Sequence, residues 1–335
     1  DEYPALPEPP PLAGTIDGGV LGPAIGQVAP AASRDDTLPM LTGVCLDIDG
    51  GTLTLAATDR YRLAVREMPW AAARPGLRAA ALVPARTLAD AARAMTPGMP
   101  VSVAFDTGPE GAADGPGGRA AGGSAPRGGR GAAEPRPADG QISFGMGGRR
   151  LTARLIGGEF IRYRSRFPAE FGCRAEVPGA AFAEAVRRVS LVADRASPVE
   201  LTFRPGSVVI EARTEGRARA VETVPAEFSG DEPGIAFNPH YLLDGLTAAA
   251  SPAARDSAAG EPDPHGQHGA AEEGGSAEGG KPPEPGLVRI EFTSPAKPAL
   301  ITRVTAAEGA AAAAGTAPVP EFRYLVVPLR AVARS

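Results

Sequence analysis

Residues 38–69 read LPMLTGVCLDIDGGTLTLAATDRYRLAVREMP. Val44, Leu46 and Ile48 alternate with Cys45, Asp47 and Asp49, a period of two. Asp49-Gly50-Gly51 then reverses the chain. Leu53, Leu55 and Ala57 alternate in a second run, Thr58-Asp59-Arg60-Tyr61 makes a polar turn, and Leu63, Val65 and Glu67 continue outward. Strict alternation with glycine at a reversal predicts hairpins. The stretch is expected to be an antiparallel meander of three strands with one buried face.

The surrounding sequence fits the same kind of domain. Leu12 to Gly18 suits a strand. Leu21, Ala24, Ile25 and Val28 recur at helical spacing, so a helix is expected from Val20 to near Val28. Pro23 is tolerable in its first turn, whereas Pro30 inside a helix would cost about 3 kcal/mol. Ala79 to Val83 reads as a strand. Pro84 to Met95 reads as an amphipathic helix with Leu88, Ala91, Ala92 and Met95 inward. Val101 to Phe105, Ile142 to Phe144 and Arg150 to Leu155 read as strands.

The pattern then recurs. Cys173 to Arg195 repeats the order of 12–34. Pro198 to Val224 is a second meander, turning at Pro205-Gly206. VVIEARTEGRARAV (208–221) mirrors LTLAATDRYRLAV, and Ile235 to Leu243 opens a helix as Leu82 to Leu88 does. Leu287 to Thr293, Ala299 to Val304 and Phe322 to Val327 read as strands. The spacing predicts an internal repeat of about 155–160 residues, each copy with two helices and about eight strands.

Composition limits the function. The chain has 335 residues, net charge −5 and 43% hydrophobic residues, enough for a sizeable core. Gly 43 and Pro 36 gather in segments 107–140 and 251–286, with an Ala-rich stretch at 306–318. These are expected to be low-complexity insertions. Two cysteines, Cys45 and Cys173, imply no disulfide framework, and an intracellular, cytoplasmic protein is expected. No apolar run has the length of a membrane span. The chain opens on Asp1 rather than Met and is expected to be a fragment or a processed form.

ATDRYRLAV (57–65) resembles the ATDxxRLA segment in the middle domain of the bacterial DNA polymerase III beta subunit, the sliding clamp family. LTGV (41–44) and RYLVVPLR (323–330) are similar to the same family, and the three motifs stand in the same order. The resemblance implies an α+β DNA clamp fold: two copies of a domain with antiparallel sheets and paired helices. It divides the chain into a linker (1–11), a middle domain (12–157), a second linker (158–172) and a C-terminal domain (173–330). A first domain would be absent. In the family that domain of one chain joins the last domain of another in a homodimer, so the usual two-chain ring is not expected here.

The resemblance implies DNA-replication processivity without catalysis or cofactor. The partners would be double-stranded DNA, held without sequence preference, and short peptides of polymerase and clamp loader. The peptide groove falls on Leu41, Thr58, Arg60, Tyr61, Arg62, Leu63, Ile161, Asn238, Tyr241, Ala296, Pro298, Leu325, Val326, Val327, Pro328, Leu329 and Arg330. Core packing is the competing reading for its strand residues. Arg60-Tyr61 is bulkier than the Gly-His pair common at that turn. A helix layer that attracts phosphates needs basic residues, and Arg34, Arg86, Arg93, Arg187 and Arg188 are candidates. Ordinary solvated helix charge is their competing reading.

Other functions fit parts of the sequence. The chain could keep the groove without encircling DNA and act as a decoy or regulator of clamp-binding proteins. Val44 to Leu53 also resembles the DxDGT loop of haloacid-dehalogenase-type phosphatases, with Asp47 as nucleophile and Asp49 as acid/base around Mg²⁺. That chemistry also needs a lysine and a further acidic pair, and Lys281 and Lys297 are the only lysines. His265 and His268 lie in an insertion with no further ligand nearby, and His240 is expected to pack at a helix start.

Overall fold

The computed structural model describes residues 10–106, 140–193, 197–214, 217–231, 234–251, 286–305 and 321–329. The insertions expected at 107–140, 251–286 and 306–318 fall almost wholly outside these residues, as do most of the linker at 1–11 and Arg330.

The first half runs β1 (Leu12–Asp17), α1 (Gly18–Val28), β2 (Gly43–Asp49), β3 (Thr52–Thr58), β4 (Arg62–Pro69), β5 (Ala71–Ala72), β6 (Arg78–Pro84), α2 (Ala85–Ala92), β7 (Pro100–Phe105), β8 (Gln141–Met146) and β9 (Arg149–Arg154). The second half repeats that order: β10 (Cys173–Pro178), α3 (Gly179–Val189), β11 (Val199–Arg204), β12 (Ser207–Thr214), β13 (Ala218–Pro225), β14 (Glu227–Ser229), β15 (Gly234–Phe237), α4 (Pro239–Ala250), β16 (Leu287–Phe292), β17 (Ala299–Arg303) and β18 (Phe322–Val326). Each described copy holds two helices and nine strands. The ninth is the very short β5 or β14, too brief to read as a period of two.

All strand pairing is antiparallel, in three sheets. One sheet is ordered β5-β1-β7-β8-β9, one β13-β12-β11-β15, and the largest β14-β10-β16-β17-β18-β4-β3-β2-β6. The nine-stranded sheet therefore crosses from one repeat into the other at β18 and β4, where Tyr324 faces Ala64 and Leu325 faces Leu63. The helices pair as α1 with α2 and α3 with α4, and α1 also meets α4 across the repeats.

The local chemistry explains the helix ends. The Asp17 carboxylate accepts from the Gly19 N–H at 2.7 Å and caps α1. The helix starts two residues earlier than its spacing implies, so Pro23 lies in its interior rather than its first turn. Burial of Leu21, Ala24, Ile25 and Val28 outweighs the lost hydrogen bond: each such apolar side chain contributes about 1–3 kcal/mol against about 3 kcal/mol for the proline. Pro30 falls in a separate 3₁₀ turn, Ala29–Ala31. Asn238 caps α4, its side-chain oxygen accepting from His240 N–H at 2.9 Å, with Pro239 at the first helical position. His240 marks that helix start but is exposed rather than packed.

The meander has two covered faces, not one. Val44, Leu46, Ile48, Leu53, Leu55 and Ala57 join the main core beneath the helices. On the other face Cys45, Ala56, Leu63, Val65 and Leu82 form a second cluster with Tyr163, Leu300 and Leu325. Ile156, Phe160, Ile161, Phe167 and Phe171 of the connecting segment pack over it. A segment about 100 residues downstream thus buries positions whose local alternation marks them as outward.

Candidate functional site at the junction of the repeats

The turn that carries the ATDRYRLA motif is built by side chains. Arg60 has φ +80°, the one non-glycine residue with positive φ among the described residues. Such a conformation costs roughly 1 kcal/mol or more outside glycine. Thr58 and Asp59 hold it in place. Thr58 Oγ1 accepts from Arg60 N–H at 3.2 Å and donates to the Arg62 carbonyl at 2.6 Å. Asp59 Oδ1 accepts from the N–H groups of Tyr61 and Arg62, each at 3.0 Å.

Arg62 turns inward from this loop and is 8% exposed. Its guanidinium pairs with Asp59 at 3.0 Å and with Asp244 of α4, and donates to the Pro30 carbonyl at 2.5 Å. It lies 4.6 Å from the centre of the Tyr241 ring and 3.5 Å from the Tyr324 hydroxyl. Burial alone would lower the Arg62 pKa, but the surrounding oxygens raise it, so the cation is kept. The Tyr324 hydroxyl donates to the Tyr241 carbonyl at 2.8 Å. Gln27 reaches from α1 to the Ala248 carbonyl at 2.8 Å. Arg66 with Glu321 (2.8 Å) and Arg323 with Glu67 flank the strand pair β4–β18.

Above this buried set lies an apolar surface. Tyr61 is 53% exposed and stacks on Tyr241, with ring centres 6.1 Å apart and planes 19° apart. Val327, 36% exposed, donates its N–H to the Tyr61 carbonyl at 2.8 Å. Leu329 donates to the Ala236 carbonyl at 2.8 Å, which brings the chain end of β18 beside Asn238. Three segments far apart in sequence therefore meet along one line: the 58–63 turn, the start of α4 and residues 327–329.

The expected groove residues divide into several groups. Tyr61, Tyr241, Val327, Leu329 and Asn238 come together at or near the surface. Thr58, Arg62, Leu63, Leu325 and Val326 are buried in or beneath the junction, and Leu41 is buried in the turn Pro39–Leu41. Ile161 packs over Leu63 and Leu325 from the connecting segment. Ala296 and Pro298 sit in the β16–β17 turn, whose strand β17 starts with Ala299 opposite Val326. Pro328 is buried beside exposed Val327, Arg60 is exposed, and Arg330 lies outside the described residues. Sequence reasoning misses Asp59, Asp244, Gln27 and Tyr324 as junction residues. Asp59 and Tyr324 sit inside the recognised motifs, whereas nothing local marks Asp244, 182 residues from its partner Arg62.

The aspartates expected for a phosphatase have other partners, which corrects that alternative. Asp47 Oδ2 accepts from the Tyr163 hydroxyl at 2.6 Å and from Arg164 at 2.9 Å. Asp49 pairs with Arg78 at 3.0 Å. Asp47 thus anchors the connecting segment over the sheet. Burial raises the Tyr163 pKa above its usual value, and the Asp47 carboxylate adds to the shift. The described residues hold no group of three or more His, Cys, Asp or Glu placed to bind a metal.

The five candidate DNA-facing arginines are all exposed. Arg93 pairs with Asp90 at 2.8 Å, Arg187 with Glu184, and Arg188 with Glu222 at 2.6 Å. Arg34 and Arg86 have no ion-pair partner among the described residues. α1 carries no charged side chain at all.

A pair of repeated α+β units that share one sheet, each pairing its own two helices and with α1 meeting α4 across the join, defines a clamp-type fold. Residues 15–161 match the model of the DNA polymerase III beta subunit central domain, and residues 164–257 match its C-terminal domain. The chain is 40% identical to the beta sliding clamp of Streptomyces coelicolor, over 98% of this chain and 70% of that protein. It is 39% identical to the beta sliding clamp of Micrococcus luteus, over 67% of this chain and 63% of that protein. The sliding clamp structure from Bacillus subtilis overlays with a TM-score of 0.69 at 22% identity, covering 99% of this chain and 68% of that one. The chain belongs to the DNA polymerase III beta subunit family.

Proposed function

We propose that the chain is a sliding clamp subunit: a non-catalytic processivity factor that docks short peptides of its polymerase and loader at the repeat junction and tethers them to duplex DNA. The observation that carries this reading is the meeting of Tyr61, Tyr241, Val327 and Leu329 on one surface above the Arg62 network. An apolar peptide side chain laid there buries against aromatic and aliphatic surface. Asn238 and the polar turn at Arg60 supply an orienting rim. The buried ion pairs beneath hold the two repeats in fixed relation, so the docking surface is formed before a peptide arrives. Tethering by encirclement asks for more clamp domains than these two repeats supply, so a homodimer or larger assembly belongs to the same reading.

The helix layer favours a second reading beside it. With three of its five candidate arginines already paired to carboxylates, the layer offers few free cations to phosphates. A chain that docks clamp-binding peptides but grips DNA weakly would act as a decoy or regulator of those proteins. Primer extension by the cognate polymerase separates the two. Longer products in the presence of the chain, lost with Val327→Glu, support the clamp reading. Shorter products, restored by Val327→Glu, support the decoy. Extension unaffected by the chain contradicts both.

A further inference from the structure

The turn between β3 and β4 carries a charged side chain where its backbone favours glycine. Arg60 has φ +80°, a region that glycine enters freely and other residues enter at a cost. Thr58 Oγ1 and Asp59 Oδ1 hold it there by taking the N–H groups of residues 60, 61 and 62. A glycine would need no such bracing. A strained residue that its neighbours keep in place points to a use for its side chain.

The Arg60 guanidinium is available to a ligand. It is exposed and has no ion-pair partner among the described residues. The carboxylates around it are committed elsewhere. Asp59 Oδ1 accepts from the Tyr61 and Arg62 N–H groups, and its Oδ2 takes the Arg62 guanidinium at 3.0 Å. Asp244 is likewise held by Arg62. The Asp35 pKa is lowered first by the Thr37 N–H it accepts and last by the charge of Arg60, which acts on it without pairing. Arg62 cannot take the same role from beneath, since it is 8% exposed and its donors are used within the junction. The backbone fixes where Arg60 stands. The Tyr61 carbonyl accepts from the Val327 N–H at 2.8 Å, which sets Arg60 at one end of the apolar surface. The Leu329 N–H on the Ala236 carbonyl brings the other end beside Asn238, whose side-chain oxygen already caps α4. The two ends therefore differ: an unpaired guanidinium at the Tyr61 end, a capping amide at the other.

Given peptide docking at the junction, we propose that Arg60 determines its charge specificity: it selects peptides that carry a carboxylate just outside the segment laid over Tyr61 and Val327, and rejects those with lysine or arginine there. A planar guanidinium receives a carboxylate through two parallel hydrogen bonds, whereas it can only repel a cation. The pair forms at an exposed rim, so its effect on affinity is modest and is screened within about 8 Å at physiological ionic strength. Its larger effect is on the rate of encounter and on the exclusion of wrong partners. The apolar contacts with Tyr61 and Val327 hold the peptide, and Arg60 decides which flanking sequence is admitted.

The test uses the full 335-residue chain and four fluorescent peptides of Gln-x-x-Leu-Phe pattern, with Asp-Asp or Lys-Lys added before it or after it. Both ends are tried because either terminus of a peptide can lie at the Tyr61 end. Anisotropy gives the affinities and stopped flow the association rates. At one of the two ends the acidic peptide is expected to bind the wild type about three- to tenfold tighter than its lysine counterpart, mostly through faster association. The ratio is expected to shrink as salt rises from about 0.05 M to about 0.5 M. Arg60→Gly is expected to bring the ratio near one without lowering the melting temperature, since glycine takes the positive φ unstrained. Arg60→Glu is expected to invert it. A wild type that binds acidic and lysine peptides alike at both ends overturns the proposal and leaves peptide docking standing. A preference that persists in Arg60→Gly belongs to another cation and overturns it equally. Folded wild type that binds none of the four overturns the docking reading and this specificity with it.

Discussion

Arg62 lies beneath the Tyr241 ring, 4.6 Å from its centre, and so joins the recognised turn of one repeat to the first turn of α4 in the other. The same guanidinium neutralises Asp59 and Asp244, whose side chains are 12% and 43% exposed. Arg62→Ala would leave the half-buried Asp59 without its cation. The expected loss is about 2–4 kcal/mol, below the full cost of a wholly buried pair because Asp244 can rehydrate. Arg62→Lys is expected to recover less than half, since one ammonium cannot span both carboxylates and the Pro30 carbonyl. Urea unfolding monitored by tyrosine fluorescence measures both.

Gly245 is where α4 presses closest to the strand that bridges the repeats. A Cβ there would stand 2.5 Å from Tyr324 Cδ1 and 2.6 Å from Cε1. The Tyr324 ring is 1% exposed and has nowhere to retreat. Gly245→Ala is therefore expected to destabilise by roughly 1–3 kcal/mol, despite alanine's better helix propensity. It is also expected to weaken peptide docking, because Tyr324 carries the Tyr241 backbone. Thermal melts and a binding isotherm on one sample check both outcomes.

The Tyr163–Asp47 hydrogen bond gives the connecting segment a pH limit on the alkaline side. The folded state raises the Tyr163 pKa, so the unfolded chain loses this proton first as pH rises. The contribution is fully present below the ordinary tyrosine pKa of about 10 and is lost above it. Tyr163→Phe is expected to cost about 1–2 kcal/mol at neutral pH and to make the stability profile flatter above pH of about 10. Denaturant midpoints at pH values on both sides of that limit decide it.

Glu211 sets the opposite limit. Hydrogen bonds from Arg219 first and Arg213 second bring its pKa down to about 2. A lowered folded pKa means stability present above the ordinary glutamate value of about 4.3 and lost as pH falls toward 2. Glu211→Gln is expected to flatten the acid limb over that window while leaving the neutral melting temperature less affected than Arg62→Ala does. Acid titration followed by circular dichroism reads the difference.

Much of the fold can be read from the sequence because it rests on local periodicity. Leu53, Leu55 and Ala57 alternate as a strand, and Gly50 takes the positive φ that the Asp49-Gly50-Gly51 reversal needs. The repeat is visible because its two copies keep the same order of turns. Cys45 reads as outward for the opposite reason. Its cover, the segment carrying Phe160 and Tyr163, is distant in sequence and leaves no trace in the period of β2. Burial by that cover raises the Cys45 thiol pKa well above normal, so the thiol stays protonated. Arg62 shows the same limit at the site. A guanidinium in a polar turn reads as a rim, and only the approach of α4 with Asp244 makes it the buried tie between repeats. Arg60 departs from glycine at a positive-φ turn, and Thr58 and Asp59 explain how the chain bears it.

Peptide docking at the junction is the central claim, and one titration tests it most directly. A fluorescent peptide of Gln-x-x-Leu-Phe pattern is followed by anisotropy against the wild type, Val327→Glu and Tyr61→Ala. Saturable binding is expected for the wild type, abolished by a charge at Val327 and weakened about tenfold without the Tyr61 ring, a hot-spot loss of about 1.4 kcal/mol. No binding to folded wild type, or equal binding to all three proteins, would contradict the account.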